Sequence, residues 1–224
     1  MALTKFNYNS FDLTTAASSG LAFNSSANGF ETSTGGSMVL IKTLTASSSS
    51  TLSFVDGSSS VVLDNTYPVY LFKFINIHPS TESKFTFQAS SNTGSSYGIA
   101  ATTSNMQTYH VEDDEYHNLE YGGGHDHAQD TGFLKIAGQG IDDVNDSSLS
   151  GQCLLFNPSS TTFVKHYIAT GTFMADNTDG DGHTWTNYTA GYFNTTSAVD
   201  AIQFKMESGN MDAGTIKLYG LKDS

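Results

Sequence analysis

Arginine is missing from this sequence of 224 residues, and all nine basic residues are lysine, set against 22 acids. Nucleic-acid binders present a basic stripe in which arginine makes bidentate contacts to phosphates and base edges. A formal charge of −13 repels a polyanion, so no nucleic-acid partner is expected. The same charge favours solubility and disfavours anionic membrane surfaces. Cysteine occurs once, at Cys153, which excludes an intrachain disulfide and makes stability independent of an oxidising compartment. Long apolar runs are missing too. No stretch approaches the ~20 apolar residues of a membrane-spanning helix. Residues 1–20 hold one lysine and no apolar run, so no secretory leader is predicted there.

Small polar residues are abundant instead. The chain holds 30 Ser, 27 Thr, 21 Gly and 15 Asn, while only 14% of residues are charged. Yet 38% are hydrophobic, with fifteen Phe and eleven Tyr, which is too apolar for a disordered chain. The length suits one large all-β domain or two small ones, and it suffices to bury a core without staples.

Residues 1–36 show neither a helical stripe nor clean alternation. They predict an extended N-terminal arm whose aromatics dock on the domain or on a neighbour, with Tyr8, Phe11 and Phe23 as the contact residues. From residue 37 short β-branched, apolar segments alternate with Gly, Ser, Asn and Asp. Strands are expected at 38–45, 51–55, 61–63, 67–78, 85–89, 106–111, 151–156, 163–173, 185–193, 202–206 and 216–218. Residues 67–78 are apolar on both parities and predict a central strand covered on both faces. Phe85, Phe87 and Ala89 alternate with Lys84, Thr86 and Gln88, which predicts a strand with one wet face. No twelve-residue window carries a helical stripe. The expected fold is all-β, a two-sheet jelly-roll-like sandwich over 37–224, with a closed barrel as the alternative. Residues 112–146 hold ten of the acids and Lys135 alone as a base. They are expected to form an acidic surface excursion.

Four local patterns suggest chemistry, each against a plainer reading. Gly94-Ser95-Ser96-Tyr97-Gly98 matches G-x-S-x-G, but a nucleophile at Ser96 needs a helix behind the turn, and 99–104 is a poor helix. A hairpin loop is preferred. His125-Asp126-His127 places both imidazoles on one side of a strand, and His117 or Asp130 could add a metal ligand. The pair resembles the cupin metal motif but lacks the glutamate after it and the second motif. The plainer reading is a flexible, solvated loop. Asp176, Asp179 and Asp181, interleaved with Asn177, Gly180 and Gly182, suit a Ca²⁺ ion. The twelfth position, Asn187, departs from the EF-hand glutamate, and a hairpin tip is the plainer reading. Cys153 lies in an apolar strand and is expected to be a small core residue. His166 and His183 are expected to pack or cap. No carboxylate pair favours glycoside hydrolysis, and no catalytic residue is assigned.

The passages 36–45 (GSMVLIKTLT), 74–79 (FINIHP), 156–166 (FNPSSTTFVKH), 190–194 (AGYFN), 201–206 (AIQFKM) and 214–221 (GTIKLYGL) resemble virion structural proteins of marine tailed phages, of the cyanophage and pelagiphage kind. A closing strand of the form G-T-x-K-L-Y-G is frequent in that group. The resemblance implies a non-enzymatic structural subunit located in the virion and exposed to sea water. Low charge fits that setting, because salt screens surface ion pairs. The expected role is a capsid decoration or cement subunit whose arm latches onto other virion proteins while the sandwich faces solvent. A homo-oligomer is expected, a trimer suiting a capsid three-fold. The alternative is a tail-fibre or adhesin module that binds host glycans through 112–146 or 176–182. A cupin-like metalloenzyme is the remote third reading.

Overall fold

The computed structural model describes residues 20–23, 30–33, 37–176 and 182–222. Among them there is no helix. The strands are β1 (Gly20–Phe23), β2 (Phe30–Ser33), β3 (Met38–Thr45), β4 (Leu52–Val55), β5 (Val69–Pro79), β6 (Phe85–Ser90), β7 (Ala101–Val111) and β8 (His117–Tyr121). They continue as β9 (Ala128–Asp130), β10 (Leu134–Lys135), β11 (Leu149–Phe156), β12 (Lys165–Asp176), β13 (Gly182–Phe193), β14 (Ala201–Met206) and β15 (Met211–Leu221). The expected two-sheet sandwich is present. The large sheet runs β3-β15-β5-β11-β12-β13-β7-β8, with β9 also on β7, and the small sheet runs β10-β6-β14-β4. Within 1–36, β1 and β2 pair only with each other. Tyr8 and Phe11 lie outside the described residues, and Phe23 is described by its backbone alone.

The two sheets repeat one order. β3, β15 and β5 are neighbours in the large sheet, and β4, β14 and β6 follow the same order in the small one. Each small-sheet strand adjoins in sequence the large-sheet strand of the same rank. The interior between them is aromatic. Phe204 on β14 has the rings of Phe54, Phe72, Phe74, Phe85 and Phe87 at centroid distances of 5.2–6.2 Å. Phe87 also meets Tyr167 edge-on at 5.1 Å. Aromatic pairs at such spacings add to what area burial supplies.

The parity of β5 changes along its length. Tyr70, Phe72 and Phe74 are buried inward, and so is Ile77, while Ile75 between them is exposed. A bulge makes the switch. Asn76 adopts φ +50°, and the ladders to β11 and β15 both shift register beside it. Opposite it, Gly214 has φ +116°, and a Cβ there would lie 2.6 Å from the Asn76 carbonyl oxygen. Glycine is therefore required at 214, and asparagine is a tolerated left-handed residue at 76.

Four expectations change. β5 is central, but its outer face, with Lys73 and Ile75, is not covered. β6 has no wet face, since all six residues are buried. Gln88 Nε2 donates to the carbonyls of Thr131 (3.1 Å) and Gly132 (2.7 Å), and Thr86 Oγ1 donates to that of Lys205. Residues 61–63 are not a strand. Val61 and Leu63 are buried in a loop pinned by the Leu63 N–H on Asp56 Oδ1. The acidic excursion is not an appendage either. β8 and β9 extend the large sheet, β10 joins the small one, and Leu134, Ile136, Ala137 and Ile141 are core residues. Leu134 pairs with Phe87 on β6, and Ile136 packs beside Gly171 on β12, so the segment is held by the core of both sheets.

Candidate functional site

The outer face of the large sheet carries most of the exposed large hydrophobic side chains among the described residues. Met38, Leu40, Ile75, Met106, Leu119, Tyr121, Ile168 and Tyr188 are all exposed, and all stand on its strands. Register places four of them, Ile168, Tyr188, Met106 and Tyr121, in two rows across the sheet. One row runs Tyr219, Leu71, Leu154, Ile168, Ala190 and Ser104. The next runs Lys217, Lys73, Gln152, Thr170, Tyr188, Met106 and Tyr121. Neither row contains a carboxylate, in a chain of charge −13. Beside the second row, on the side away from the first, lies a shallow concavity of about 700 Å³ lined by Lys73, Ile75, Gln152, Thr170, Thr186 and Tyr188. Lys73 and Lys217 sit directly opposite each other on neighbouring strands, an arrangement that costs stability in an isolated sheet. An apolar centre rich in Tyr and Met and poor in charge is the composition of protein interface cores.

At the far edge of this face the β7–β8 hairpin gathers a second group. His110 and His117 are register partners, so both side chains leave the sheet on the same side. Their ring centroids are 6.0 Å apart. Asp114 in the turn has φ +65° and accepts a 2.9 Å contact from His110 Nε2. The nitrogens and carboxylate oxygen of the three lie within 4.8 Å of one another. The sequence reading named His117 only as an addition to His125 and did not connect it with His110. A usable signal was present, because 110 and 117 are equidistant from the Asp113–Asp114 centre of an acidic turn, the condition for a cross-strand pair.

His125 and His127, within the excursion, are half-buried. The His127 N–H donates to Thr103 Oγ1. Burial first, then the positive charges of Lys84 and Lys135, lowers the pKa of His125. Lysines beside an imidazole disfavour a cation. Among the described residues no third His, Cys, Asp or Glu completes a ligand set with this pair, and His117 belongs to the other group. The segment is not a solvated loop, since the His125 ring packs within reach of Gly122 and Gly138. Those glycines admit the buried amides of Asn105, Gln107 and Asn187. Asn105 Nδ2 donates to Thr189 Oγ1 at 2.7 Å, whose hydroxyl donates to the Lys135 carbonyl at 2.9 Å.

Asp176 ends β12 opposite Gly182, which agrees with a hairpin there. Asp179 and Asp181 lie outside the described residues. Ser96 Oγ accepts from Asn92 Nδ2 at 2.9 Å, and 97–100 leads without a helix into β7. The nucleophile elbow therefore lacks its second half. Cys153 is buried, and burial pushes its thiol pKa up, away from the reactive thiolate. His166 is exposed beside Tyr192, and His183 lies beside Tyr109. Lys165 is the buried amine of the sandwich. Its Nζ donates to the carbonyls of Phe163 (2.8 Å) and Thr195 (3.1 Å), and burial lowers its pKa.

The chain matches no protein-family model, no curated protein and no solved structure.

Proposed function

We propose that the chain is a non-enzymatic structural subunit of a tailed-phage virion, a decoration or cement protein attached to the outside of the capsid. The observation that carries this reading is the pair of carboxylate-free rows, rich in Tyr, Met and aliphatic residues, across the middle of the large sheet's outer face. Its occupant is the surface of another virion protein. An anionic patch on that protein would offset the Lys73–Lys217 repulsion. The passages that resemble marine phage proteins fall largely on strands of this sandwich, which is read as jelly-roll-like because β3→β4, β5→β6 and β14→β15 each pass between sheets. On this reading the sandwich does not face solvent on every side. Its broad face docks, and the arm, through Tyr8, Phe11 and Phe23, adds a latch to the capsid or to a sister subunit of a homo-oligomer such as a trimer.

Co-sedimentation of the full chain with undecorated particles tests the reading. The triple variant Leu40→Ser, Ile168→Ser, Tyr188→Ser is expected to lose particle binding while keeping its unfolding midpoint. A hot-spot residue of an interface costs on the order of 2 kcal/mol when truncated, tyrosine being a frequent one, so loss of even one such anchor among the three is easily read. Undiminished binding of the triple variant would sink the docking face. Binding lost only when Tyr8, Phe11 and Phe23 are replaced by alanine would assign attachment to the arm alone.

A further inference from the structure

We propose that His110, Asp114 and His117 bind one divalent transition-metal ion of the zinc class at the tip of the β7–β8 hairpin. The site is assembled by strand register. His110 on β7 and His117 on β8 are opposite residues, and the turn between them brings Asp114 back over the same face, 2.9 Å from His110 Nε2. The two neighbouring aspartates have separate tasks. Asp113 Oδ1 accepts the Glu115 N–H at 2.9 Å and shapes the turn, while the Asp114 carboxylate points to the imidazoles.

The spacing suits a tetrahedral ion. Metal bonds of about 2.0–2.1 Å put neighbouring ligand atoms about 3.3–3.5 Å apart. The three ligand atoms already lie within 4.8 Å of one another, and all three residues are exposed. Rotation of surface side chains by about an ångström closes the site without moving the backbone. Two imidazoles and one carboxylate are the donor set of zinc, copper or nickel, whereas calcium takes six to eight oxygens. This set therefore differs in chemistry from the Ca²⁺ reading of Asp176, Asp179 and Asp181. The surrounding charge draws cations. Glu112, Asp113, Asp114 and Glu115 are consecutive, and no lysine stands between Lys84 and Lys135. Three protein ligands leave one position for water. The bound ion would tie β8, whose five residues are all exposed, to β7. Because ligation needs unprotonated imidazoles, binding weakens on acidification.

Tag-free full chain titrated with Zn²⁺ by calorimetry, and with Co²⁺ by visible absorption, tests the site. One ion per chain and intense Co²⁺ d–d bands are expected. His110→Ala and His117→Ala should each weaken binding by more than the about 10- to 100-fold that losing an outer-shell partner costs, and the pair together should abolish it. Zn²⁺ should also shift the imidazole resonances of His110 and His117 and leave those of His166 unmoved, a readout that needs no variant. No saturable binding, binding unchanged in the double variant, or displacement of Co²⁺ by equimolar Ca²⁺ would overturn the proposal.

Discussion

The two halves of the sandwich interior are closed by different chemistry. Beneath β4, β14 and β6 the large sheet meets a cluster of rings centred on Phe204. Beneath residues 122–138 it presents Asn105, Gln107, Asn187 and Thr189, all buried. Buried rings demand no donor or acceptor at a set position, so the plain strands β4, β14 and β6 can seal the first half. Buried amides and hydroxyls need donors and acceptors at set positions. The second half is accordingly closed by an irregular segment that supplies the Lys135 carbonyl and the glycines Gly122 and Gly138. Even so, Gln107 Oε1, Asn187 Oδ1 and His125 Nδ1 have no hydrogen-bond partner in the structure. The ring cluster of the aromatic half thus packs without unmet polar groups, and the polar half is expected to be the more easily opened.

Phe204→Ala tests this contrast most severely. It removes a ring common to five contacts, and a loss of about 3–5 kcal/mol is expected for such a truncation, read from chemical unfolding. Asn187→Ala should cost less, about 1–3 kcal/mol, the range for stranding a buried partner. The partner stranded is Asn105 Oδ1, which accepts from Asn187 Nδ2 at 3.3 Å. A cost for Asn187→Ala equal to that of Phe204→Ala would erase the distinction between the halves.

The polar half should also carry a pH response. Burial and the nearby lysines lower the pKa of His125 in the folded chain. On acidification the unfolded chain therefore binds the proton first. The stability contributed is full above the unfolded imidazole value of about 6.5. It falls as the pH drops from there through the folded value. Denaturant midpoints between pH 7.5 and 5.5 should decline for the wild type and decline less for His125→Gln. Equal slopes would remove His125 as the cause. The smallest effect on stability is expected on the outer face, where Ile168→Ser or Tyr188→Ser should each stay within about 0.5 kcal/mol, while the proposed attachment predicts weaker particle binding for both. A large destabilisation there would show that this face is part of the core.

Legibility differed between the two halves. The aromatic half was readable because Phe72 and Phe74, Phe85 and Phe87, and Phe204 sit at alternate positions of apolar segments. The polar half was not. Thr86 and Gln88 look like the wet face of a strand, and only the passage of Thr131 and Gly132 over them makes them interior. β7 was visible only over 106–111, because Thr103 and Asn105 carry no apolar signal. His110 and His117 were readable in principle from their symmetry about the acidic turn, whereas the docking face was hidden. The rows proposed for docking combine residues from seven strands, and no single segment shows the pattern.

What the sequence determined by itself was local. Alternation without a helical stripe specifies strands, the β12–β13 hairpin follows from a polar, Gly- and Asp-rich tip, and a lone Cys153 in an apolar run becomes a core thiol. What the tertiary structure decided was which side of each strand meets water. Alternation states which side chains share a face, not what lies over that face. That depends on segments remote in the chain, as when Gly214 opposite Asn76 turns Ile77 inward and leaves Ile75 outside.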